Sequence, residues 1–284
     1  MIRDLTEIEQ FTNRIAKEAG RLITSTRADA LKNISYKTPR DFVTSADVAA
    51  EKLLIEYIHR EYPNDLILAE ETASSLPPDQ IAANNCWIID PIDGTMNYAF
   101  SQHHTCVSIA YAEHGVVKVG SVYGPFYDEL FSASLGNGAT LNGNAIKALP
   151  AEALGKALIC VGRPQSEAYI SEFTTQVERL LRNCLDLRRD GAAALDICWI
   201  ACNRHNAFFE TLNPWDIAAA SLILREAGGK VGHYQSGIFD QSNIDQSNAH
   251  QHQKEKFPED LNAQCFLATS PDIFDDMQAL LSVA

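Results

Sequence analysis

The sequence predicts an α/β protein whose first half is of α+β type and whose second half is of α/β type. Two patterns carry this prediction. From about residue 151 onward, short apolar segments alternate with helical ones, which is typical of strands covered by helices. Before that point, two helical segments precede apolar segments separated by turn residues, which favours antiparallel strands. Of the 284 residues, 46% are hydrophobic, so a sizeable core is available and general disorder is excluded.

The first half begins with two predicted helices. Apolar residues recur at helical spacing from residue 4 to 29, and the second helix starts at or just before Asp47 and runs to Ile58. Residues 31–37 between them are irregular or strand-like. The other elements predicted before residue 150 are a strand at 66–69, a polar surface loop at 72–85, a strand beginning at 86, and strands at 105–112, 116–123 and 130–134.

The second half alternates regularly until one polar segment interrupts it. Its predicted strands are 157–161, 185–188, 207–210 and 266–270, and its predicted helices are 167–181, 192–201, 215–227 and 271–281. Residues 235–264 are rich in Gln, Asn, Ser and His, and we interpret them as an exposed insertion loop. His250 and His252 in this segment are interpreted as solvated residues rather than metal ligands.

The stretch 86–95 carries the most chemical information. It begins with an apolar run that predicts a buried strand, and Pro91, which has no N–H to donate, is expected to end that strand at Asp90. Asp90 and Asp93 are followed by a glycine and a threonine. Carboxylate oxygens suit a hard divalent cation, and a glycine lets the backbone approach a phosphate closely. We therefore expect this strand end to hold a cation and a phosphate together.

The same stretch has three alternative interpretations. A calcium loop of the EF-hand type has acids at alternate positions before its glycine, but Ile92 occupies one of them. An aspartyl-phosphate phosphatase has one residue between its two aspartates, whereas two residues separate Asp90 from Asp93. A solvated Asp-Pro turn after a core strand stays open as the third alternative.

Charge and cysteine content restrict the classes of function. The net charge of −14 argues against a nucleic-acid surface and agrees with an acidic site that needs a cation to accept an anion. No apolar segment is long enough to cross a bilayer, and the N-terminus lacks the order of a signal peptide. Seven scattered cysteines without a Cys-x-x-Cys pair indicate free thiols, so we expect a cytoplasmic protein that does not bind membranes.

Acids from three distant segments are candidates for one shared site. Glu70 follows the strand at 66–69, Asp90 and Asp93 end the next strand, and Asp216 lies in the first turn of a helix that begins near Pro214. All of these side chains are oxygen donors, which favours magnesium or manganese over zinc. Taken singly, Asp216 could equally be a helix cap and Glu70 a surface acid.

These segments resemble the motifs of the inositol monophosphatase family in their order and spacing. The matching segments are Asp41-Phe-Val-Thr-Ser-Ala-Asp47, Glu70-Glu71, Trp87-Ile-Ile-Asp-Pro-Ile-Asp-Gly-Thr95 with Asn97, Trp215-Asp-Ile-Ala-Ala and Glu226-Ala-Gly-Gly229. The resemblance implies a layered αβαβα sandwich of the inositol monophosphatase and fructose-bisphosphatase type. It also implies an α+β half at 1–150 with most metal ligands, and an α/β half at 151–284 with Asp216 and the substrate contacts.

The resemblance implies a site for two to three Mg²⁺ ions. Glu70, Asp90 and the backbone carbonyl of Ile92 would hold the first ion, which activates water. Asp90, Asp93 and Asp216 would hold the second ion on the side of the leaving group, and Glu70 would help to hold a weaker third ion. Because only the carbonyl of residue 92 is needed, an apolar isoleucine can occupy that position.

The resemblance also implies catalytic and substrate-binding residues. Besides Glu70, the catalytic residues would be Thr95 and Asp47, which pair with each other and act on the nucleophilic water. The residues implied to contact the substrate are Asp93, Gly94, Thr95, Gly191, Ala192, Ala193, Glu210 and Asp216. The sequence departs from the family pattern at Met96, where a second threonine is usual, and at Ala192, where a serine or threonine is common.

The implied function is lithium-sensitive, Mg²⁺-dependent hydrolysis of inositol monophosphate or a similar sugar or polyol phosphate, without a covalent enzyme intermediate. The alternative substrates are 3′-phosphoadenosine phosphate and fructose 1,6-bisphosphate. An alternative of another class is a role as partner of transcription or ribosome-assembly factors, as bacterial members similar to this chain have. The resemblance further implies a homodimer.

Overall fold

A computed structural model describes residues 3–30, 34–38, 41–72, 75–164, 167–237 and 257–282. Within these ranges the α-helices are α1 (Leu5–Ala30), α2 (Ser45–Glu61), α3 (Pro78–Ala83), α4 (Thr95–Ala99), α5 (Ile170–Asn183), α6 (Ala193–Ala201), α7 (Pro214–Glu226) and α8 (Phe274–Leu281). None of them combines the length and the apolar character that a membrane span requires.

Three sheets contain the strands of the described chain. A two-stranded sheet consists of β1 (Ile34–Thr38) and β2 (Asp41–Thr44). The seven-stranded sheet follows chain order: β3 (Leu66–Ala69), β4 (Asn85–Asp93), β5 (Cys106–Glu113), β6 (Val116–Gly124), β7 (Glu129–Ser134), β8 (Ala139–Leu141) and β9 (Asn144–Ile146). The five-stranded sheet contains β10 (Leu158–Val161), β11 (Asp186–Arg188), β12 (Ala207–Glu210), β13 (Lys230–His233) and β14 (Phe266–Thr269), in the order β11-β10-β12-β14-β13.

The helices cover both sheets in alternating layers. α1 and α2 pack on one face of the seven-stranded sheet, and α6 and α7 lie between the two sheets. α5 and α8 pack together against the outer face of the five-stranded sheet. The layer order is therefore helix, sheet, helix, sheet, helix, which confirms the predicted αβαβα sandwich. The seven-stranded sheet comes from residues before 150 and the five-stranded sheet from residues after it. That these halves are two domains stays a prediction.

Local sequence patterns explain the first two helices. In α1, Ile8, Phe11, Ile15, Ala19 and Ile23 recur every three or four residues and are all buried, which confirms the predicted amphipathic helix. α2 starts with a capping box at Thr44: the Asp47 carboxylate, in the first turn, accepts the backbone N–H of Thr44.

The structure corrects several predicted boundaries. β4 does not stop at Asp90, because Pro91 lies in a bulge where its missing N–H costs nothing, and pairing with β5 resumes at Asp93. The loop expected at 72–85 contains α3. β2, α4, β8, β9 and β13 were not predicted, because they are short elements without a clear periodicity. A chain of three to five residues is too short to repeat a pattern.

The structure describes residues 235–237 and 257–264 of the predicted exposed loop. Residues 238–256, with His250 and His252, lie outside the described residues. Residues 257–264 do pack against the protein, because Leu261 and Ala263 are buried and the Asp260 carboxylate pairs with Arg225. For this final part, the prediction of an exposed loop was wrong.

Candidate metal and phosphate site

The ends of β3 and β4 bring the first acids together. β3 pairs in parallel with β4, and Ala69 lies opposite Ile89. The next residue on each strand is an acid, so Glu70 and Asp90 emerge at the same edge of the sheet. The bulge between Asp90 and Asp93 then turns the chain, and the Ile92 N–H donates to Asp90 Oδ1 at 2.9 Å. The irregular end of β4 thereby presents two carboxylates, those of Asp90 and Asp93.

Helix α7 brings Asp216 from the second half of the chain. Asp216 Oδ2 accepts the backbone N–H of Asn213 at 2.8 Å, which caps the helix. α7 packs so closely on β6 that a Cβ on Gly120 would lie 2.6 Å from the carbonyl oxygen of Ala219. The small side chain of Ala219 on α7 permits this close approach. The close contact fixes the distance from Asp216 to the sheet that carries Asp90.

Three carboxylates meet at this point. Asp90, Asp93 and Asp216 each place one oxygen within 4.8 Å of the others. Burial raises the pKa of Asp90 well above its ordinary value, and the charges of Glu70, Asp93 and Asp216 raise it further. Burial likewise raises the pKa of Asp216, with added contributions from Asp93 and Glu70. Such an arrangement is costly unless a cation lies among the acids, and its oxygen-only donor set fits Mg²⁺ or Mn²⁺.

Glu70 is near this cluster but outside the group of mutually close oxygens. Its charge acts on both Asp90 and Asp216, and its side chain is partly buried. The neighbouring segment is held by Glu51, a fully buried acid of α2 that accepts the Glu71 N–H at 2.7 Å and the hydroxyl of Thr72. Glu51 is not among the residues predicted from the sequence. Its place in the apolar stripe of α2, between Ala50 and Leu54, was the available signal.

Asp93 connects the two halves of the chain. Its two carboxylate oxygens accept the backbone N–H groups of Ala193 (3.2 Å) and Ala194 (2.7 Å), at the N-terminus of α6. Cys106 Sγ lies 3.5 Å from the same carboxylate. Burial raises the pKa of Asp93 to about 6, although the N–H of Ala194 opposes this shift. Ala193, whose backbone is predicted to meet the substrate, therefore already uses its N–H in a bond to Asp93.

A second group of polar atoms surrounds Thr95. Its hydroxyl lies 3.2 Å from Asp47 Oδ1 and 3.0 Å from the carbonyl oxygen of Ile92. Burial raises the pKa of Asp47, while hydrogen bonds from Thr44 and Thr95 lower it in part. Gly94 has φ = +85°, a conformation that favours glycine, and it begins the turn into α4. The structure thus brings Thr95 into direct contact with both Asp47 and the carbonyl of Ile92.

The second half contributes a wall beside Gly94. A Cβ on Gly94 would lie 3.0 Å from the Cβ of Ala192 and 3.2 Å from the carbonyl oxygen of Gly191. Glu210 Oε1 accepts the N–H of Arg163 at 3.0 Å. Burial raises the pKa of Glu210 to about 8. The charge of Glu210 also acts on Asp216, so the predicted substrate residues of the second half lie near the acid cluster.

Asn97 fixes the turn after Gly94. Its Nδ2 donates to the carbonyl oxygens of Asp190 (2.6 Å) and His104 (2.8 Å), which joins α4 to the loop before α6. Only the family motif pointed to this residue. Arg27 was missed altogether: it reaches from the end of α1 and donates to the carbonyl oxygens of Asn97, Tyr98 and Gln102. Nothing in the periodicity of α1 distinguishes it from a solvated arginine.

Solved structures share this fold. An IMPase of Thermotoga maritima has a TM-score of 0.78 and 27% identity, covering 96% of this chain and 95% of its own. An inositol monophosphatase from Anabaena has a TM-score of 0.75 and 30% identity, covering 98% and 96%. The extragenic suppressor protein suhB from Bartonella henselae has a TM-score of 0.79 and 26% identity, covering 97% and 98%.

The layered fold and its acid cluster define a metal-dependent phosphatase. The model of the inositol monophosphatase family matches residues 4–265, and the chain belongs to this family. Among curated proteins it is similar to the Nus factor SuhB of Escherichia coli strain K12, with 40% identity over 228 residues, which is 79% of this chain and 84% of that protein. The Nus factor SuhB of Vibrio cholerae is 39% identical over 227 residues, with the same coverage.

Proposed function

We propose that this protein is a Mg²⁺-dependent phosphomonoesterase that hydrolyses inositol monophosphate, or a similar sugar or polyol phosphate, to the alcohol and inorganic phosphate. The observation that carries the proposal is the convergence of Asp90, Asp93 and Asp216 within 4.8 Å. Family membership supports the phosphatase class. The choice of metal rests on the oxygen-only donors, and the choice of alcohol on the family resemblance.

In this proposal the acids hold two to three Mg²⁺ ions. One ion would be held by Glu70, Asp90 and the backbone carbonyl of Ile92. A second would be held by Asp90, Asp93 and Asp216, and Glu70 would contribute to holding a third. When bound, magnesium supplies Lewis-acid polarisation of the phosphoryl group and makes water more acidic. The capping bonds of Asp216 and the N–H contacts of Asp93 hold these carboxylates in place before the ions arrive.

Thr95 and Asp47 handle the proton of the attacking water. Thr95 Oγ1 accepts that proton, while its own proton passes to Asp47 Oδ1, 3.2 Å away. The raised pKa of Asp47 suits an acceptor, because a carboxylate with an ordinary pKa would hold the proton less well. The N–H groups of Gly94 and Thr95 bind the phosphate, and the departing alkoxide takes a proton from solvent.

The second half of the chain orients the alcohol. Glu210, with the backbone of Gly191 to Ala193, forms the wall that meets the hydroxyl groups of the substrate. Ala192 removes a hydroxyl from this wall, so we expect the preferred alcohol to make one hydrogen bond fewer here. The alternative substrates, 3′-phosphoadenosine phosphate and fructose 1,6-bisphosphate, require further contacts to a base or a second phosphate.

A phosphate-release screen tests the proposal. Inositol, sugar and nucleotide monophosphates are compared with the two alternative substrates, with and without Mg²⁺. Asp93→Asn and Asp216→Asn are each expected to lower turnover at least about 10³-fold, because each removes charge that stabilises the transition state. The matched control is Asp79→Asn, a change at an exposed acid of α3, with turnover expected to stay within about twofold. Wild-type turnover in both cluster variants would contradict the assignment.

A second candidate function is favoured by the curated relatives, which are named Nus factors. The chain could act as a partner of transcription or ribosome-assembly factors in addition to its hydrolysis. Affinity capture with the Asp93→Asn variant separates the roles, since a partner bound equally by active and inactive protein does not depend on catalysis.

We further propose a homodimer, tested by light scattering, and a cytoplasmic location, in keeping with seven free thiols.

A further inference from the structure

A second cluster of side chains of the types that bind metals lies in the other half of the molecule. Cys160, Asp190, Asp196 and His205 each place one potential ligand atom within 4.8 Å of the others. These residues share no member with the acid cluster described above. They come from four separate segments: β10, the loop after β11, helix α6 and the turn before β12. Because the segments are distant in sequence, only the fold assembles this group.

The cluster is buried but reachable from solvent on one side. Cys160, Asp196 and His205 are at most 3% exposed. The side chain of Asp190, by contrast, is 29% exposed. An ion could therefore enter past Asp190 and be enclosed by the other three side chains. Buried sulfur, imidazole and carboxylate groups at one point are costly unless they are paired or bind a metal.

Direct contacts already order these groups. His205 Nε2 lies 3.1 Å from Asp190 Oδ2, and Cys160 Sγ lies 4.0 Å from the same oxygen. Asp196 Oδ1 lies 2.7 Å from His104 Nε2. A carboxylate has a second oxygen, so His104 can orient Asp196 without occupying it. A hydrogen-bonded partner of this kind behind a ligand is a regular feature of metal sites.

One polar atom of the cluster is left unsatisfied. His205 Nδ1 is buried and has no hydrogen-bond partner among the residues that the structure describes. Buried ring nitrogens normally have a partner, and one without calls for an explanation. Because Nε2 pairs with Asp190, Nδ1 is the ring nitrogen that the described chain leaves without a partner, and a metal ion bound through Nδ1 would supply one.

We propose that Cys160, Asp190, Asp196 and His205 form a second metal site, selective for a transition metal, with Zn²⁺ as the ion that fits best. One sulfur, one nitrogen and two oxygen donors match the four-coordinate preference of Zn²⁺, whereas Mg²⁺ prefers oxygen donors only. On binding, the Cys160 thiol releases its proton to the solvent and the thiolate bonds to the metal. The bound ion would tie β10, α6 and the segment before β12 together.

This site does not depend on the proposed hydrolysis. The second site is next to the acid cluster, because α6 carries Asp196 and also supplies the N–H groups that hold Asp93. A zinc ion here would therefore stiffen the part of α6 that supports the acid cluster. The primary test of the second site is metal binding, which is measured without any substrate.

Cobalt(II) is the probe for this site, because its thiolate complexes absorb in the near ultraviolet. The full-length protein is titrated with Co²⁺ in the presence of excess Mg²⁺, which fills the oxygen-only cluster. We expect a thiolate-to-cobalt band that saturates at one Co²⁺ per chain and is lost on adding one equivalent of Zn²⁺. Cys160→Ser is expected to abolish the band. Cys184→Ser, at a partly exposed thiol outside the cluster, is the matched control and should keep it.

His205→Gln provides an independent variant that leaves every thiol in place. It is expected to weaken Co²⁺ binding at least about tenfold, because replacing even a residue that only hydrogen-bonds to a metal ligand causes a loss of this size. Circular dichroism of each variant verifies that it is folded. The proposal is overturned if the wild-type protein shows no thiolate band, or if the band survives in folded Cys160→Ser.

Discussion

At the scale of single residues, burial and mutual repulsion of the carboxylates in the acid cluster destabilise the metal-free protein. Asp90, Asp93 and Asp216 are kept close by the fold, and burial raises the pKa of each. Function and stability therefore oppose each other at these positions until a cation is bound. The same side chains that hold the ion weaken the fold in its absence.

Asp93 allows this opposition to be measured. Its pKa is raised from 3.8 to about 6. The folded protein therefore binds more protons than the unfolded chain between these values, and its free energy of unfolding falls as pH rises through this window. In EDTA, we expect the free energy of unfolding of Asp93→Asn relative to that of wild type to increase as pH rises from 4 to 7.5, because only wild type carries the raised pKa. The increase is on the order of 3 kcal/mol.

Urea titrations at several pH values between 4 and 7.5 provide the measurement. The comparison between the two proteins cancels the titration of groups that they share. A stability difference that does not change with pH would show that Asp93 titrates normally in the folded state. Adding Mg²⁺ at pH 7.5 should stabilise wild type more than Asp93→Asn, because only wild type keeps the full ligand set.

Gly162 leaves the room that Glu210 occupies. A Cβ at this position would lie 1.6 Å from Glu210 Oε2, so Gly162→Ala must displace that carboxylate. We expect KM for inositol monophosphate to rise about tenfold, the loss of one good hydrogen bond. KM for p-nitrophenyl phosphate, which lacks sugar hydroxyls, should be unchanged. In the control Gly155→Ala, the nearest atom to the new methyl group is 3.8 Å away, so neither KM should change.

At the scale of elements, two acids of the site also cap the helices on which they lie. Asp47 uses Oδ2 to accept the N–H of Thr44 and Oδ1 to contact Thr95. Asp216 uses Oδ2 for the N–H of Asn213. The cap that the sequence offered as an alternative for Asp216 is therefore present, and it leaves Oδ1 for the cluster. The start of a helix thus orients each carboxylate before any ligand binds.

Arg27 ties one element to another and should influence α4. Its guanidinium donates to three backbone carbonyls after Gly94 and lies 4.5 Å from the ring centre of Phe126. Arg27→Met is expected to lower the free energy of unfolding by about 2 kcal/mol and kcat/KM roughly tenfold, because charged hydrogen bonds are lost and α4 is less well positioned.

Urea unfolding and steady-state kinetics measure these two effects. Arg21→Met is the matched control on the same helix, because Arg21 is exposed and pairs only with Glu18 among the contacts of the described chain. A surface pair of this kind contributes little, so both quantities should stay near wild type. Equal effects of the two substitutions would mean that Arg27 has no special role.

At the scale of the whole molecule, the layer of α6 and α7 between the sheets sets the geometry of the site. Asp216 comes from α7, and the N–H groups that hold Asp93 come from α6. The seven-stranded sheet supplies the remaining cluster acids. The cluster therefore reports directly on how that sheet packs against this layer.

Gly120→Ala is expected to disturb this packing. The new methyl group would lie 2.6 Å from the Ala219 carbonyl oxygen and 2.9 Å from its Cα, and a helix backbone gives way less readily than a side chain. We expect a loss of about 1–3 kcal/mol in the free energy of unfolding. Mg²⁺ affinity should fall as well, since Asp216 shifts relative to Asp90.

Calorimetric titration with Mg²⁺ measures the affinity. Gly124→Ala, on the same strand, is the control, because its nearest contact would be an ordinary 3.5 Å. An unchanged Mg²⁺ affinity in Gly120→Ala would indicate that the position of α7 does not limit metal binding.

The long helices, the antiparallel strands and the α/β alternation were predictable from sequence because they depend on neighbours within a few residues. α1 shows this clearly, since its buried residues repeat at helical spacing. The strand end at Asp90 was predicted wrongly for the converse reason. Proline forbids a bond at its own position, but only the partner strand decides whether pairing resumes beyond a bulge.

The sequence by itself determined the family, the order of the elements and the acids offered for a cation, because these are properties of local residue patterns and spacing. The tertiary structure alone decided which oxygens meet and what supports them. Glu51, Arg27 and the Cys160 cluster became visible only in the folded chain. The physical reason is that contacts between residues many positions apart depend on how closely helices and sheets can pack, as Gly120 against Ala219 illustrates.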